Sequence, residues 1–313
     1  MRRALVFPGQ GAQYVGMGME LAQRHPAARQ LLDQADEVLG FALSDIIANG
    51  PEDELTRTDI SQPAILVVSV MALTVLKTVV KPLIFDAVAG LSLGEYTALV
   101  AAESLSFREA LKLVRLRGQA MQAAAEAAPS GMVALIGADE ASATKLCIAA
   151  ANGEVLQVAN LNSPGQVVIS GAKAACERAA ALAKDHGIRK AIPLSVAGAF
   201  HSELMAPAAV RLRAALAKAP FKDPKVPVYT NVHAGPVTKA SEIPALLEAQ
   251  LTKPVRWADS VVAMKTAGID AFWELGPGKT LCGMITRTVS GAELRNLDLA
   301  SDVLGFANVN KVE

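Results

Sequence analysis

Asp86-Ala87-Val88-Ala89-Gly90-Leu91-Ser92-Leu93-Gly94 joins a short apolar strand, Asp86 to Ala89, to a helical pattern that starts near Leu93. The last five of these residues form a G-x-S-x-G pentapeptide. The flanking glycines allow a turn sharp enough to push Ser92 out at the strand's tip. The helix N-terminus behind it offers backbone N–H groups and a positive dipole end to a developing oxyanion. An ordinary tight turn is the competing reading of the same residues, since glycine and serine are common in turns.

The pattern of short strands leading into helices extends in both directions from this point. Ala4 to Phe7 reads as a strand that breaks at Pro8-Gly9-Gln10-Gly11, with helices expected from about Met17 to Gly40 and from Ser61 to Val80. Downstream of Leu93 the helical periodicity runs to about Ala128, interrupted near Ser104 to Ser106. Further on come a helix from about Ser202 to Ala219, a strand at Val226 to Thr230, and helices near Glu242 to Leu251 and Trp257 to Ala267. A final strand, Asp270 to Glu274, leads into Gly276-Pro277-Gly278-Lys279, and the weakly patterned stretch 294–313 is expected to be a surface tail. This alternation predicts an α/β fold with a parallel sheet, a large α/β-hydrolase-like domain.

Residues 130–195 carry a different rhythm. Strands at Met132 to Ile136, Val155 to Ala159, Gln166 to Ser170 and Arg189 to Pro193 alternate with helices at Glu140 to Ala151 and Ala172 to His186. A turn is expected at Asn162-Ser163-Pro164-Gly165. The order β-α-β-β-α-β is that of a ferredoxin-like unit. The expected organisation is therefore a large catalytic domain of 1–129 and 196–313 with a small ferredoxin-like domain, 130–195, inserted after a hinge at Pro129-Ser130-Gly131.

Composition narrows the function classes. The 313 residues are 52% hydrophobic but only 4% aromatic, so Ala, Val and Leu must fill the core. Net charge is zero, and no basic block suggests nucleic acid. Cys147, Cys176 and Cys282 are isolated, which fits inert thiols in a reducing compartment. Met1 to Phe7 passes from two arginines into a short apolar run with no cleavage site, a strand rather than a signal peptide. The apolar stretch Pro63 to Leu76 is too short to span a bilayer. A soluble, cytoplasmic protein with no membrane association is expected.

Two phosphate-binding patterns fail. Gly9-x-Gly11 lacks its third glycine, since Tyr14 stands there, and Gly278-Lys279-Thr280 lacks the upstream glycine, replaced by Trp273. Without clustered Cys or His no metal is expected, and no cofactor is implied. Ser92 needs a base, and the chain has four histidines. His25 and His186 lie at helix boundaries and read as capping or surface residues. His201, between small apolar residues and the expected N-cap Ser202, is the better candidate; His233 is the runner-up.

Several further segments stand in a telling order: Phe7-Pro8-Gly9-Gln10-Gly11-Ala12-Gln13, Gly90 to Tyr96, Arg117-Gly118, Asn162 to Gly171, Ala199-Phe200-His201-Ser202, Pro254-Val255-Arg256-Trp257 and Glu274 to Gly278. With them the sequence resembles the malonyl-CoA:acyl carrier protein transacylases of fatty acid synthesis, over roughly residues 4–290. The resemblance implies that Ser92 is acylated with His201 as its base. It implies that the backbone carbonyl of Gln250 orients the imidazole in place of an aspartate, and that the backbone N–H groups of Gln10 and Leu93 form the oxyanion hole. Arg117 would pair with the malonyl carboxylate; by itself it reads as a solvated helix residue beside Lys112 and Arg115. Phe200 would crowd a methylmalonyl branch. Malonyl-CoA and acyl carrier protein are the implied partners, with Lys190 and Arg287 as candidate docking cations. Leu91 departs from the histidine usual before the nucleophile. A serine hydrolase or thioesterase, an acyltransferase module of polyketide synthesis (against which the short chain with its own methionine argues) and a binding-only scaffold are the rival readings.

Overall fold

The computed structural model describes residues 1–306. Among the described residues ten strands are formed: β1 (Arg2–Phe7), β2 (Ala87–Gly90), β3 (Ser130–Ile136), β4 (Leu156–Ser163), β5 (Gln166–Ala172), β6 (Lys190–Pro193), β7 (Val228–Tyr229), β8 (Pro236–Val237), β9 (Ile269–Leu275) and β10 (Glu293–Leu297). Six of them build one sheet in the order β10-β9-β1-β2-β7-β8. Its neighbours are parallel apart from the β7–β8 edge pair. The fold is mixed α/β with a parallel sheet, as the strand-into-helix rhythm predicts.

Side chains alternate across a strand, and this sheet buries both faces. Leu5 and Phe7 enter the main core with the helix Thr58–Val79, whereas Ala4 and Val6 point to a second cluster around Trp257, Phe272 and Leu281. That two-sided burial is why the strands read as unbroken apolar runs. Thr58–Val79 is the one described helix long and apolar enough to cross a membrane, and 94% of that apolar window is buried inside the fold. It starts three residues earlier than its periodicity suggests and continues through Pro63, which has no N–H to give the Asp59 carbonyl one turn back. The Arg115 guanidinium bonds that carbonyl instead.

The other four strands form an antiparallel sheet in the order β4-β5-β3-β6. Val133 and Leu135 face their own core with the helices Glu140–Ala151 and Lys173–Leu182, while Met132, Ala134 and Val168 face the main core. A parallel bridge stitches β4 to the segment after Gln250: Leu161 N–H donates to the Val255 carbonyl (2.9 Å) and Val255 N–H to that of Ala159 (2.8 Å). Cys147 and Cys176 are buried in the small core, where burial pushes their thiols up to about 12 and about 11.

Four local expectations are corrected. The stretch from 294 is no tail as far as it is described: β10 extends the parallel sheet, and the helix Ala300–Leu304 buries Ala300 and Val303. Ser130 and Gly131 pair with Ala172 and Gly171 within β3 instead of forming a hinge. Asn162 and Ser163 belong to β4, leaving the turn to Pro164 and Gly165. Ser202 makes no N-cap bond; its hydroxyl donates to the Ala199 carbonyl at 2.6 Å.

Candidate active site

At the end of β2, Leu91 N–H donates to the Phe7 carbonyl (3.0 Å) and the chain turns sharply into the helix Gly94–Ala101. The turn is too tight for side chains at its two ends. A Cβ on Gly90 would lie 1.9 Å from the Gly94 carbonyl carbon, and one on Gly94 would lie 2.1 Å from the Phe7 oxygen. Ser92 sits between them with φ 51°, a left-handed conformation that costs a non-glycine residue about 1–2 kcal/mol. Asn231 holds it there. Its Oδ1 accepts the Ser92 N–H at 2.6 Å and its Nδ2 donates to the Gly90 carbonyl at 2.7 Å.

The loop after β6 brings His201, also left-handed at φ 57°, to the serine. Its Nε2 lies 2.8 Å from Ser92 Oγ, and its Nδ1 lies 2.7 Å from the Gln250 carbonyl oxygen. A carbonyl only accepts, so Nδ1 carries the hydrogen and Nε2 presents its lone pair to the serine hydroxyl. Burial first and the Arg117 cation second, against the smaller opposing pull of the Gln250 carbonyl, bring the imidazole's pKa down to about 4. His201 is a neutral base at physiological pH. His233 is exposed and takes no part; its loop contributes Asn231 instead.

Arg117 is fully buried, which overturns its reading as a solvated helix residue. Its guanidinium donates to Gln62 Oε1 (2.6 Å), to Gln250 Oε1 (2.8 Å) and to Ser92 Oγ itself (3.0 Å). These acceptors are neutral, its Nε has no partner among the described residues, and desolvation lowers its pKa. It is a cation held beside the nucleophile. The Glu95 carboxyl acts on it through space, with no hydrogen bond between them among the described residues.

Ser92, His201, Gln10, Phe200 and Leu91 share the wall of a cavity of about 360 Å³, closed on the other side by Met132, Asn160 and Val168 of the small sheet. Phe200 is itself buried. Among the described residues no hydrogen bond uses the N–H of Gln10 or of Leu93, leaving both donors free. Lys190 is exposed, and Arg287 donates to Ser163 Oγ (3.1 Å) and Gln166 Oε1 (3.0 Å).

Residue types and spacing did not single out Gln62, Glu95 or Asn231, nor the side chain of Gln250. All four are buried at the site. Gln62 carried a usable signal, an amide inside an otherwise apolar helix. Asn231 carried none, because its partners lie 139 and 141 positions away.

The model of the acyl transferase domain family matches residues 4–303. The chain belongs to this family. Within it, the malonyl CoA-acyl carrier protein transacylase of Bacillus subtilis (strain 168) is 43% identical over 315 residues, covering 98% of each chain. The solved malonyl CoA-acyl carrier protein transacylase of Coxiella burnetii superposes with a TM-score of 0.94 at 39% identity, covering 98% of this chain and 97% of that one. A malonyl-transacylase solved in complex with its type II PKS acyl-carrier protein has a TM-score of 0.93 at 39% identity, covering 98% and 100%.

Proposed function

We propose that this acyltransferase moves a malonyl group from malonyl-CoA to the phosphopantetheine thiol of acyl carrier protein through an acyl-enzyme on Ser92. The observation that carries the reading is the contact of a buried guanidinium, hydrogen-bonded only to neutral acceptors, with a serine that also bonds a neutral imidazole. Serine and histidine alone would serve many acyl groups. The cation beside them selects an acyl group with a carboxylate of its own, and a planar fork can hold that carboxylate bidentately.

In the first half-reaction Ser92 Oγ attacks the thioester carbonyl while its proton passes to His201 Nε2. The Gln250 carbonyl stabilises the imidazolium through Nδ1–H, without adding a negative charge next to the substrate carboxylate. The N–H groups of Gln10 and Leu93 are the donors for the tetrahedral oxyanion. Collapse breaks the C–S bond, and the leaving CoA sulfur takes the proton from His201. The pantetheine thiol then repeats the steps in reverse, giving its proton to His201 and displacing Ser92 Oγ, a ping-pong exchange. Phe200 narrows the space beside the acyl α-carbon. Leu91 packs against the apolar cluster beneath the elbow and carries no proton in this scheme.

We further read the strand–elbow–helix unit as α/β-hydrolase-like, 130–195 as a ferredoxin-like domain inserted in a catalytic domain of 1–129 and 196–313, and the protein as cytoplasmic. Lys190 and Arg287 are candidate contacts for acyl carrier protein. The decisive assay follows malonyl loading of acyl carrier protein against release of free malonate in the same reaction. Loading should dominate; hydrolysis at an equal rate would mean a thioesterase.

A further inference from the structure

Glu95 is buried in the helix that follows the nucleophile, and the reaction above makes no use of it. A single oxygen, Oε2, accepts two hydrogen bonds there, from Asn231 N–H at 2.8 Å and from Gln250 Nε2 at 2.9 Å. Each donor residue then holds one member of the reacting pair. Asn231 straps Ser92 and Gly90 through its side chain. Gln250 orients His201 through its carbonyl and also donates to the Ser92 carbonyl at 3.0 Å. The nucleophile's strap and the base's anchor come from separate loops, and Glu95 Oε2 is where they meet.

We propose that Glu95 is a positioning residue whose Oε2 sets Asn231 and Gln250 relative to each other, and through them the separation of Ser92 from His201. The inference rests on the roles given to Ser92 and His201 above. What the arrangement requires is an acceptor at the right reach, not a charge. Burial supports this by raising the carboxyl to about 7, against the bonds from Asn231 and Gln250 and the field of Arg117, so a neutral form is already populated near neutrality.

Two full-length variants separate reach from charge. Glu95→Asp keeps the charge but withdraws the oxygen from both donors, whereas Glu95→Gln keeps the reach and offers an amide oxygen. In single-turnover acylation by malonyl-CoA, the Asp variant should lose roughly tenfold to a hundredfold in maximal rate, with the half-saturating concentration within about twofold; the Gln variant should stay within about threefold. The second readout is the low-field proton resonance of His201 Nδ1–H, easily assigned among four histidines. It should hold its place in the Gln variant and move or broaden in the Asp variant. If the Asp variant does not fold, Glu95→Met, of similar length but without an acceptor, takes its place with the same expectation. Any other order overturns the proposal: Gln slow and Asp fast, both slow, or both indistinguishable from the unsubstituted protein. Failure of the underlying reading would show separately, as no malonyl adduct on unsubstituted Ser92, because the resonance needs no substrate.

Discussion

Arg117 sits in a closed site among neutral acceptors, and an incoming carboxylate relieves that desolvation. Truncating it should therefore cost malonyl transfer far more than acetyl transfer. Arg117→Ala is expected to lower kcat/KM for malonyl-CoA by about a hundredfold or more while leaving residual acetyl transfer within about tenfold, measured side by side. Equal losses would contradict the carboxylate clamp. Burial of His201, with the Arg117 cation second, sets the pH profile. With His201 near pKa 4 in the free protein, kcat/KM for acylation should be flat from neutrality down to mildly acidic pH and fall only as pH approaches that value. A bound malonyl carboxylate offsets the Arg117 field, so the pKa seen in the maximal rate should lie above the one seen in kcat/KM. Stability carries the opposite signs of His201 and Glu95. The lowered pKa of His201 gives a contribution present above about 6.5 and lost as pH falls toward about 4; the raised pKa of Glu95 gives one present below 4.5 and lost as pH rises through about 7. Removing the carboxyl leaves the His201 trend unopposed. Denaturant titrations should thus find Glu95→Gln losing ground to the unsubstituted protein as pH drops from 7 to 5, and a constant gap would contradict the Glu95 assignment.

The elbow is an element-scale device, built from close backbone approaches that permit no Cβ. Gly94→Ala would drive a methyl into the Phe7 carbonyl and force the helix Gly94–Ala101 off β1. A loss of about 3 kcal/mol or more is expected in chemical denaturation, with acylation impaired beyond what the unfolded fraction explains. Features of this kind are legible in sequence because they are local: the pentapeptide, its strand and its helix lie within a few residues. Strand positions followed from short apolar runs that break at turn residues and helix positions from a period of about 3.6 residues, and the β-α-β-β-α-β order appears within residues 130–195. What escaped was the polar network beneath the elbow. Gln250 Nε2 reaches the Ser92 carbonyl across 158 positions, and Arg117 reaches Gln250 across 133. Such contacts leave no periodic trace, since one buried amide looks like any other until the fold brings its partners in. The family resemblance supplied Arg117, Gln250 and Gln10, which residue type and spacing alone did not.

At the scale of the whole molecule, both sheets contribute to the main core and to the cavity wall, and Glu293–Leu297 adds the edge strand of the larger sheet. The region from 294 misread as a tail because β10 is an edge strand with charged positions and only Leu297 is fully buried along it. Ending the chain at Gly291 would uncover Trp273, which stacks on Phe306 at 4.9 Å and lies beneath Arg3 and Arg295. Such a chain should melt lower by about 10 °C or more; an unchanged melting temperature would restore the tail reading. The central claim is covalent chemistry at one serine assembled from both halves of the molecule. Intact-mass analysis after mixing with malonyl-CoA tests it most directly. One malonyl group should appear on Ser92, absent in Ser92→Ala, and should leave when acyl carrier protein is added as the carrier gains it. A protein that stays unmodified, or carries the group on another residue, would contradict the claim.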